Sequence, residues 1–231
     1  SGWRDASDTF KEAHVIREND LQVLSMHDKQ EGKKLFGVTT RYDWYVCQKR
    51  KYQGSTIVKQ QGDDEIKVNI SKLPCIPNWD GERIISMTAK DKEETCKIIH
   101  SFSAYESRSA WISKEKSKKF CYPVIYSTAI DGPTFYWSSK NDKGHFGVSK
   151  IIFNPNNPIG YVIDDEGKYG MTQWCVGIVG DLEYLKTIAT VIDNQNTNGF
   201  RNFMMATCFT DQVFNRRVFQ TFRKDFWKEF L

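Results

Sequence analysis

The chain has 231 residues, of which 39% are hydrophobic and 14% aromatic, and it carries a formal net charge of +4 at pH 7. Aromatic residues in this number supply the apolar surface that a core needs, which excludes an intrinsically disordered chain. No apolar run approaches the roughly 18–20 residues of a membrane-spanning helix, and the polar N-terminus lacks the apolar segment of a signal peptide, so we expect no membrane partner.

The N-terminal part of the chain is predicted to combine helices with strands. A helix over residues 9–19 has Ser7 or Asp8 available as its N-cap, because a side-chain oxygen there accepts hydrogen bonds from the first free backbone N–H groups. Alternating, β-branched and aromatic residues then indicate strands. In chain order the elements are a strand over residues 21–28, a strand from Val38, a hairpin around Gly62-Asp63-Asp64 and a short helix over residues 80–87.

The C-terminal part is predicted to contain four strands followed by helices. Clusters of Gly, Pro, Asn and Asp, which are typical of turns, separate strands over residues 122–128, 133–139, 149–155 and 160–167. Asp181 is the expected N-cap of a helix over residues 182–193, and two further helices are expected over 199–207 and 223–231. The whole pattern predicts an α+β fold, with a strand-rich mixed or antiparallel sheet at its centre and helices at the N- and C-terminal ends.

The six cysteines are spread along the chain, with no Cys-x-x-Cys pair and no histidine at zinc-ligand spacing. A chain of this length needs no disulfide framework to build a core. We therefore expect free thiols, a reducing and hence cytoplasmic location, and no metal site.

A cluster of Asn and Pro over residues 154–158 invites comparison with the Asn-Pro-Pro-aromatic tetrapeptide of amino-methyltransferases. In that tetrapeptide the Asn side chain and a Pro carbonyl hold the target amino group, while the aromatic ring stacks on the flipped base. Here Asn156 replaces the second Pro and no aromatic residue follows, so the cluster is interpreted as a hairpin turn. Because no glycine-rich cofactor loop follows a strand either, we do not expect a complete methyltransferase in this chain.

Three charged residues, Asp164, Glu166 and Lys168, are of the types that Mg²⁺-dependent endonucleases use. In such a site the carboxylates hold Mg²⁺ while the lysine polarises the attacking water. The other interpretation is an exposed turn in which Gly167 supplies a positive φ. A stand-alone Mg²⁺-dependent DNA endonuclease is therefore kept as an alternative function.

Basic and aromatic residues interleave over residues 41–52 and again over residues 134–145, which end on His145. Lysine and arginine bind phosphates, polar side chains read base edges, and unstacked bases rest on aromatic rings. His145 could donate to a base edge or a phosphate, or could belong to a structural turn. The basic excess is local: five basic against one acidic residue over 41–59, five against two over 106–119, and six against three from 201 onward.

Four segments of the chain match the order of motifs in a known family. They are RYDWYVCQKRKYQGST (41–56), CYPVIYSTAIDGPTFYWSS (121–139), KGHFGVSKIIFNPNNPIGYVIDDEGKYGMTQ (143–173) and FRKDFWKEF (222–230). In this order they resemble the C-terminal target-recognition domain of adenine-specific DNA methyltransferases of the type IIG restriction–modification kind, including the TaqI-like domain and relatives in large DNA viruses. The most specific part has a Lys before an apolar strand and then an Asp-x-x-Gly-x-Tyr segment, supplied here by Lys150, Asp164 or Asp165, Gly167 and Tyr169.

The resemblance implies that residues 35–231 read a short sequence in double-stranded DNA and clamp its major groove against a catalytic domain. That methyltransferase or nuclease domain, in cis or in trans, would bind S-adenosylmethionine. Mg²⁺ would be a cofactor of this chain only under the endonuclease alternative. Residues 1–34 would form a lead-in helix and strand, and the initial Ser1-Gly2 resembles a scar from tag removal. The viral relatives extend the expected cytoplasmic location to a virus-infected host cell.

Ten residues are the expected contacts with DNA, and none of them is expected to be catalytic or to bind a metal. Lys49, Arg50, Lys51 and Lys150 would position the backbone, Arg41, Tyr45, Tyr136 and His145 would contact the groove, and Arg216 and Arg217 would make outer phosphate contacts. A protein-interaction module, with an aromatic surface that docks a partner, is the third interpretation.

Overall fold

A computed structural model of the chain describes residues 2–5, 16, 18–60, 65–100, 103–209 and 213–231. In these residues it has twelve β-strands in three four-stranded, mostly antiparallel sheets, together with five α-helices. This confirms the predicted α+β class with a strand-rich centre and helices at both ends. Most of the helix predicted over residues 9–19, both of its candidate caps, and the turn at 62–64 lie outside the described residues.

The strands are β1 (Asn19–His27), β2 (Tyr42–Lys51), β3 (Thr56–Lys59), β4 (Glu65–Val68), β5 (Ile98–His100), β6 (Ile112–Ser113), β7 (Tyr122–Ala129), β8 (Gly132–Ser138), β9 (Lys150–Phe153), β10 (Tyr161–Asp164), β11 (Gly170–Met171) and β12 (Val176–Val179). The α-helices are α1 (Lys29–Phe36), α2 (Gly81–Met87), α3 (Leu182–Asp193), α4 (Phe200–Ala206) and α5 (Arg216–Phe219). Short 3-10 helices cover Gly2–Arg4, Ile70–Lys72 and Phe226–Phe230. No helix among the described residues is long and apolar enough to cross a membrane.

The chain divides into two compact units, one formed by residues 1–88 with 203–211 and the other by residues 89–202 with 212–231. The division expected at residue 34 falls between β1 and β2, which pair with each other inside the first unit. The boundary at residue 34 was drawn from the extent of the family resemblance and not from the packing of the chain. It therefore stays a prediction.

The first unit is built on a sheet of order β2-β1-β3-β4. Strand β1 pairs antiparallel with β2 and parallel with β3, while β3 and β4 form the predicted antiparallel hairpin. Leu21, Leu24 and Met26 of β1 pack with Val58 of β3 in the core. Strand β2 lies at an edge of this sheet, and its residues from Trp44 onward are exposed, so its aromatic and basic side chains face solvent.

The second unit contains the other two sheets, of order β10-β9-β12-β5 and β11-β7-β8-β6. They share a core cluster in which Ile125 of β7 packs with Ile152 of β9, Met171 and Cys175. Strands β9 and β10 pair as a hairpin. The Asn154 side chain accepts a hydrogen bond from the Asn156 backbone N–H between these strands, at 2.9 Å, so the Asn and Pro cluster is a turn, as interpreted from the sequence.

Helix α3 begins as the sequence predicts, because the Asp181 carboxylate accepts a hydrogen bond from the Tyr184 backbone N–H at 3.0 Å. Its apolar stripe is buried, including Leu185 and Ile188. The aromatic tail forms a five-residue 3-10 helix, and Phe226, Trp227 and Phe230 are buried there. The last segment of the family resemblance therefore supplies core aromatics to this unit.

Candidate nucleic-acid interface

A buried ion pair joins β9 to the end of β10. The Lys150 ammonium lies 2.6 Å from the Asp164 carboxylate, and both side chains are almost fully buried. The ammonium also donates to the backbone carbonyls of His145 and Val148, at 2.8 and 3.0 Å. Burial lowers the pKa of Lys150, and Asp164 opposes that shift because a nearby negative charge favours the ammonium form. Lys150 thus holds this loop from the interior, a geometry that does not favour its expected role as a phosphate contact.

The Asp164 carboxylate also organises the turn that follows it. It accepts hydrogen bonds from the backbone N–H groups of Lys168 and Tyr169, at 2.6 and 3.0 Å. Gly167 has a φ of +69°, and a Cβ added to it would lie 2.5 Å from the Val148 backbone nitrogen. The Asp-x-x-Gly-x-Tyr segment therefore fastens this turn against the loop before β9, which explains why Asp and Gly stand at this spacing.

The same geometry gives no support to a metal site in this turn. Asp164 is buried and engaged by the donors just described. Glu166 and Lys168 form an exposed ion pair of 2.7 Å on the solvent side. Within the described ranges, no group of three or more His, Cys, Asp or Glu residues is placed to hold a metal ion. The three residues of the endonuclease alternative do not converge.

His145 is buried, with 4% of its surface exposed. Its ring Nδ1 lies 3.3 Å from the Met171 backbone N–H and is placed to accept from it. Burial, with the charge of Lys150 as a smaller cause, lowers the pKa of His145 to about 4, so the ring is neutral at pH 7. The structural-turn interpretation of His145 fits this geometry, and its expected contact with a groove does not.

A surface of lysines and aromatic rings lies beside β6 and β8 in the second unit. Ser113 of β6 is paired with Trp137 of β8, and the Ser139 backbone N–H donates to the Trp111 carbonyl at 2.9 Å. These contacts bring two stretches of the chain together. We define the lysine–tryptophan surface by Trp111, Lys116, Lys119, Phe120, Trp137, Lys140 and Lys143.

Each ring of this surface carries at least one ammonium group. Lys116 lies over Trp137, at 4.7 Å from the ring centroid, and Lys119 lies over Phe120 at 5.3 Å. Lys140 and Lys143 both lie over Trp111, at 5.2 and 5.7 Å. All four lysines are exposed, whereas the three rings are half-buried. Attraction between a cation and an aromatic face, worth about 0.5–1 kcal/mol at exposed sites, restrains where the ammonium groups lie.

Buried contacts support this surface from behind. The Trp111 indole N–H donates to the Ala104 carbonyl at 2.9 Å. The Lys143 backbone N–H donates to the hydroxyl of Tyr105, a fully buried side chain, at 3.0 Å. Tyr105 also contacts the ring of His145, with centroids 5.0 Å apart. The loop held by Lys150 is thus connected through Tyr105 to the lysines over Trp111.

Three other DNA contacts predicted from the sequence, Tyr136, Arg216 and Arg217, belong to the second unit but not to the lysine–tryptophan surface. Tyr136 stacks on Tyr126, with centroids 4.4 Å apart and planes 10° apart, and both are half-buried on the β7–β8 sheet. Arg216 and Arg217 lie in α5 and are half-buried. Their charges, added to the effect of burial, lower the pKa of His100, which places the two arginines near that ring.

The predicted contacts on β2 belong to the first unit. Tyr45, Lys49 and Lys51 are exposed, as a contact residue must be. Arg50 is half-exposed and forms an ion pair of 2.7 Å with Asp20. Arg50 therefore has a partner within its own unit, whereas its two lysine neighbours extend from an edge strand.

Arg41 stands apart from the other basic residues of this segment. One of its terminal nitrogens donates to the Cys208 carbonyl within the first unit. Its Nε atom is buried and has no hydrogen-bond partner among the residues that the structure describes. This engagement fits a packing role, whereas a groove contact needs a guanidinium that projects into solvent.

Sequence reasoning did not single out Trp111, Lys116 and Lys119 as candidates. The available signal was the basic excess over residues 106–119, with one tryptophan at its start. Its meaning depends on the pairing of β6 with β8, since that pairing joins this stretch to Trp137 and Lys140. A two-residue strand such as β6 leaves too short a pattern to predict such a pairing.

A scan against models of protein families found no match to the chain. A search of curated proteins found no match either. The family resemblance therefore stays a prediction, and the function is argued from the geometry of the candidate site.

Proposed function

We propose that this chain binds double-stranded DNA as a recognition module, and that the lysine–tryptophan surface is a main contact with the DNA. The observation that carries the proposal is the set of four exposed ammonium groups held over aromatic rings in one unit. Such groups neutralise phosphates and release counterions, which is the largest sequence-independent source of affinity for DNA.

The proposal includes the enzyme that such a module would serve. The family resemblance points to an adenine-specific methyltransferase or restriction–modification enzyme, whose catalytic domain binds S-adenosylmethionine and lies in another segment or another chain. DNA and that catalytic domain are then the two partners of this chain. A cytoplasmic location, including that of an infected cell, belongs to the same proposal.

The first test is a binding titration on a pool of randomised duplexes at two salt concentrations, with Mg²⁺ present and the recovered DNA sequenced. We expect affinity to fall as salt rises, with the DNA recovered at full length and a short motif enriched. The variant K116Q/K140Q/K143Q should bind more weakly than the wild type. The control variant K186Q removes one exposed lysine from α3, which lies outside the surface and pairs with Glu183, and it should bind as the wild type does.

Two outcomes would contradict the proposal. Binding that does not respond to salt would remove the phosphate contacts on which it rests. Cleavage of the duplexes that is lost in the E166A variant would instead favour the endonuclease alternative.

A second candidate function is the docking of a protein partner on the first unit. Six large hydrophobic side chains are exposed on and around α1 and β2, namely Leu35, Phe36, Val38, Trp44, Tyr45 and Val46. Exposed apolar surface of this kind is typical of protein–protein contacts. The matching observation would be a complex with the catalytic domain that resists high salt and is weakened by F36S but not by K186Q.

A further inference from the structure

We infer that the lysine–tryptophan surface holds the sugar–phosphate backbone of paired DNA, and that its tryptophans position lysines and do not stack on bases. This inference rests on the proposed function and specifies the form of ligand and the kind of contact. It separates two roles that a basic and aromatic surface can have, since aromatic rings in many nucleic-acid-binding proteins receive unstacked bases.

The first argument is that this chain's own lysines occupy the ring faces. Two ammonium groups lie over Trp111, within 5.7 Å of the ring centroid, and one lies over Trp137 at 4.7 Å. A base that stacked on a face covered in this way would have to displace the ammonium group from it. Because both indoles are also half-buried, little aromatic surface is left for an unstacked base.

The second argument is that the indole N–H of Trp111 is already used. It donates to the Ala104 carbonyl at 2.9 Å, so this atom is not available to a base edge or a phosphate. At this ring the polar groups left to a ligand are the ammonium groups of Lys140 and Lys143. Lysine ammonium is a point charge with three donors, which suits phosphate oxygens and carries little information about base identity.

Two consequences follow for the ligand. Paired DNA should be preferred, because a duplex presents phosphates at high density along both strands while its bases stay stacked. Binding through this surface should also be nearly independent of sequence, so any enrichment of a motif has to come from residues elsewhere in the chain or in its catalytic partner.

The experiment compares one oligonucleotide as a single strand and as a duplex, in competition for the full-length chain, and adds a second duplex of unrelated sequence. Three variants accompany the wild type: W111L, the triple variant K116Q/K140Q/K143Q, and the control W174L. Trp174 is exposed but lies outside this surface. The circular dichroism spectrum of each variant is recorded, and the wild-type competition alone decides the question if W111L fails to fold.

We expect the duplex to compete better than the single strand, and the lysine variant to lose about 0.9 from the salt slope for each phosphate contact removed. In W111L the ratio of single-strand to duplex affinity should stay within about twofold, because no base stacking is lost. Preference for the single strand, with a roughly fivefold to hundredfold loss in W111L, would overturn the inference and leave DNA binding intact. Absence of salt-dependent binding to either form would remove the proposed function as well.

Discussion

The Lys150 ammonium and the Asp164 carboxylate meet at 2.6 Å in the interior of the second unit. Because both charges are buried, each depends on the other and on the backbone groups around it for the polar contacts that water supplies elsewhere. The pair fixes the loop at His145 and the turn at Gly167, and that loop is connected through Tyr105 to the lysine–tryptophan surface. Lys150, an expected DNA contact, therefore lies in the interior and supports the lysine–tryptophan surface that we propose as the contact with DNA.

Removing one partner of this pair should strongly destabilise the second unit. The variant K150M leaves a buried carboxylate without its cation, and we expect it to lower the free energy of unfolding by about 3–5 kcal/mol. Urea unfolding monitored by tryptophan fluorescence measures this loss. The matched control is K168M, which breaks the exposed pair with Glu166 and should lower the free energy of unfolding far less, because solvent screens an exposed pair. Similar losses in both variants would contradict a structural role for the buried pair.

The buried ring of His145 should make stability depend on pH. Its pKa is about 4 in the folded chain against 6.5 as the ordinary value, so the unfolded chain binds more protons between these two pH values. The contribution of His145 to the free energy of unfolding should therefore be fully present above about pH 6.5 and be lost as pH falls toward 4. The charge of Lys150 adds to the effect of burial, whereas a hydrogen bond with the His100 backbone raises the pKa and outweighs the Coulombic effect of the same residue.

The measurement is urea unfolding at pH 7 and at pH 4.5 for the wild type and for H145Q. Carboxylates titrate in both proteins, so the difference between their pH dependences isolates His145. We expect the variant to lose less stability than the wild type between the two pH values. Equal losses would place the His145 ring in solvent, contrary to its 4% exposure.

Replacing Gly32 of α1 by alanine should destabilise the protein, although alanine normally favours a helix over glycine. Gly32 is buried, and a Cβ at this position would lie 1.9 Å from the Thr40 carbonyl oxygen. Alanine usually stabilises a helix interior by about 1 kcal/mol over glycine, but here the backbone of residues 39–41 would have to move. We expect G32A to lower the free energy of unfolding by about 1–3 kcal/mol.

The comparison variant for that prediction is G37A, measured by the same unfolding experiment. Gly37 ends α1 with a φ of +74°, and no atom of the described part of the chain lies within 4 Å of an added Cβ. Its cost is then one of backbone strain alone, about 1 kcal/mol. If G32A were as stable as the wild type, the close approach of α1 to Thr40 would be wrong.

Local patterns were enough to predict most elements of the fold. The alternation in β1, the paired strands β3 and β4, and the capped α3 follow from spacings of a few residues. Burial of Lys150 could not be predicted in this way, because its partner lies fourteen residues later and only strand pairing brings the two together. A lysine before an apolar strand has the same sequence pattern whether it binds a phosphate or a buried carboxylate.

The candidate site could likewise be predicted only where its residues lie in one stretch of sequence. Lys49 and Lys51 were predicted as contacts because they lie in one basic run, and they are exposed on one edge strand. The lysine–tryptophan surface combines two stretches that are separated in sequence and joined by β6 and β8. Its charge could be read from each stretch, but the placement of lysines over rings is a property of the tertiary structure.

The two basic surfaces can be distinguished by their effects on the salt dependence of duplex binding. Each lysine that contacts a phosphate contributes about 0.9 to the slope of log K against log salt concentration, so K49Q/K51Q should lower the slope by about 1.8 if β2 contacts the backbone. The same experiment on K116Q/K140Q should lower it by a similar amount if the lysine–tryptophan surface does. Both pairs of lysines are exposed and both substitutions remove two charges, so the difference between the two slopes reports the position of the charges and not the net charge.

We expect the larger decrease from K116Q/K140Q, because the rings hold these ammonium groups in place before DNA arrives. An unchanged slope in that variant, with a decrease in K49Q/K51Q, would assign the backbone contact to β2.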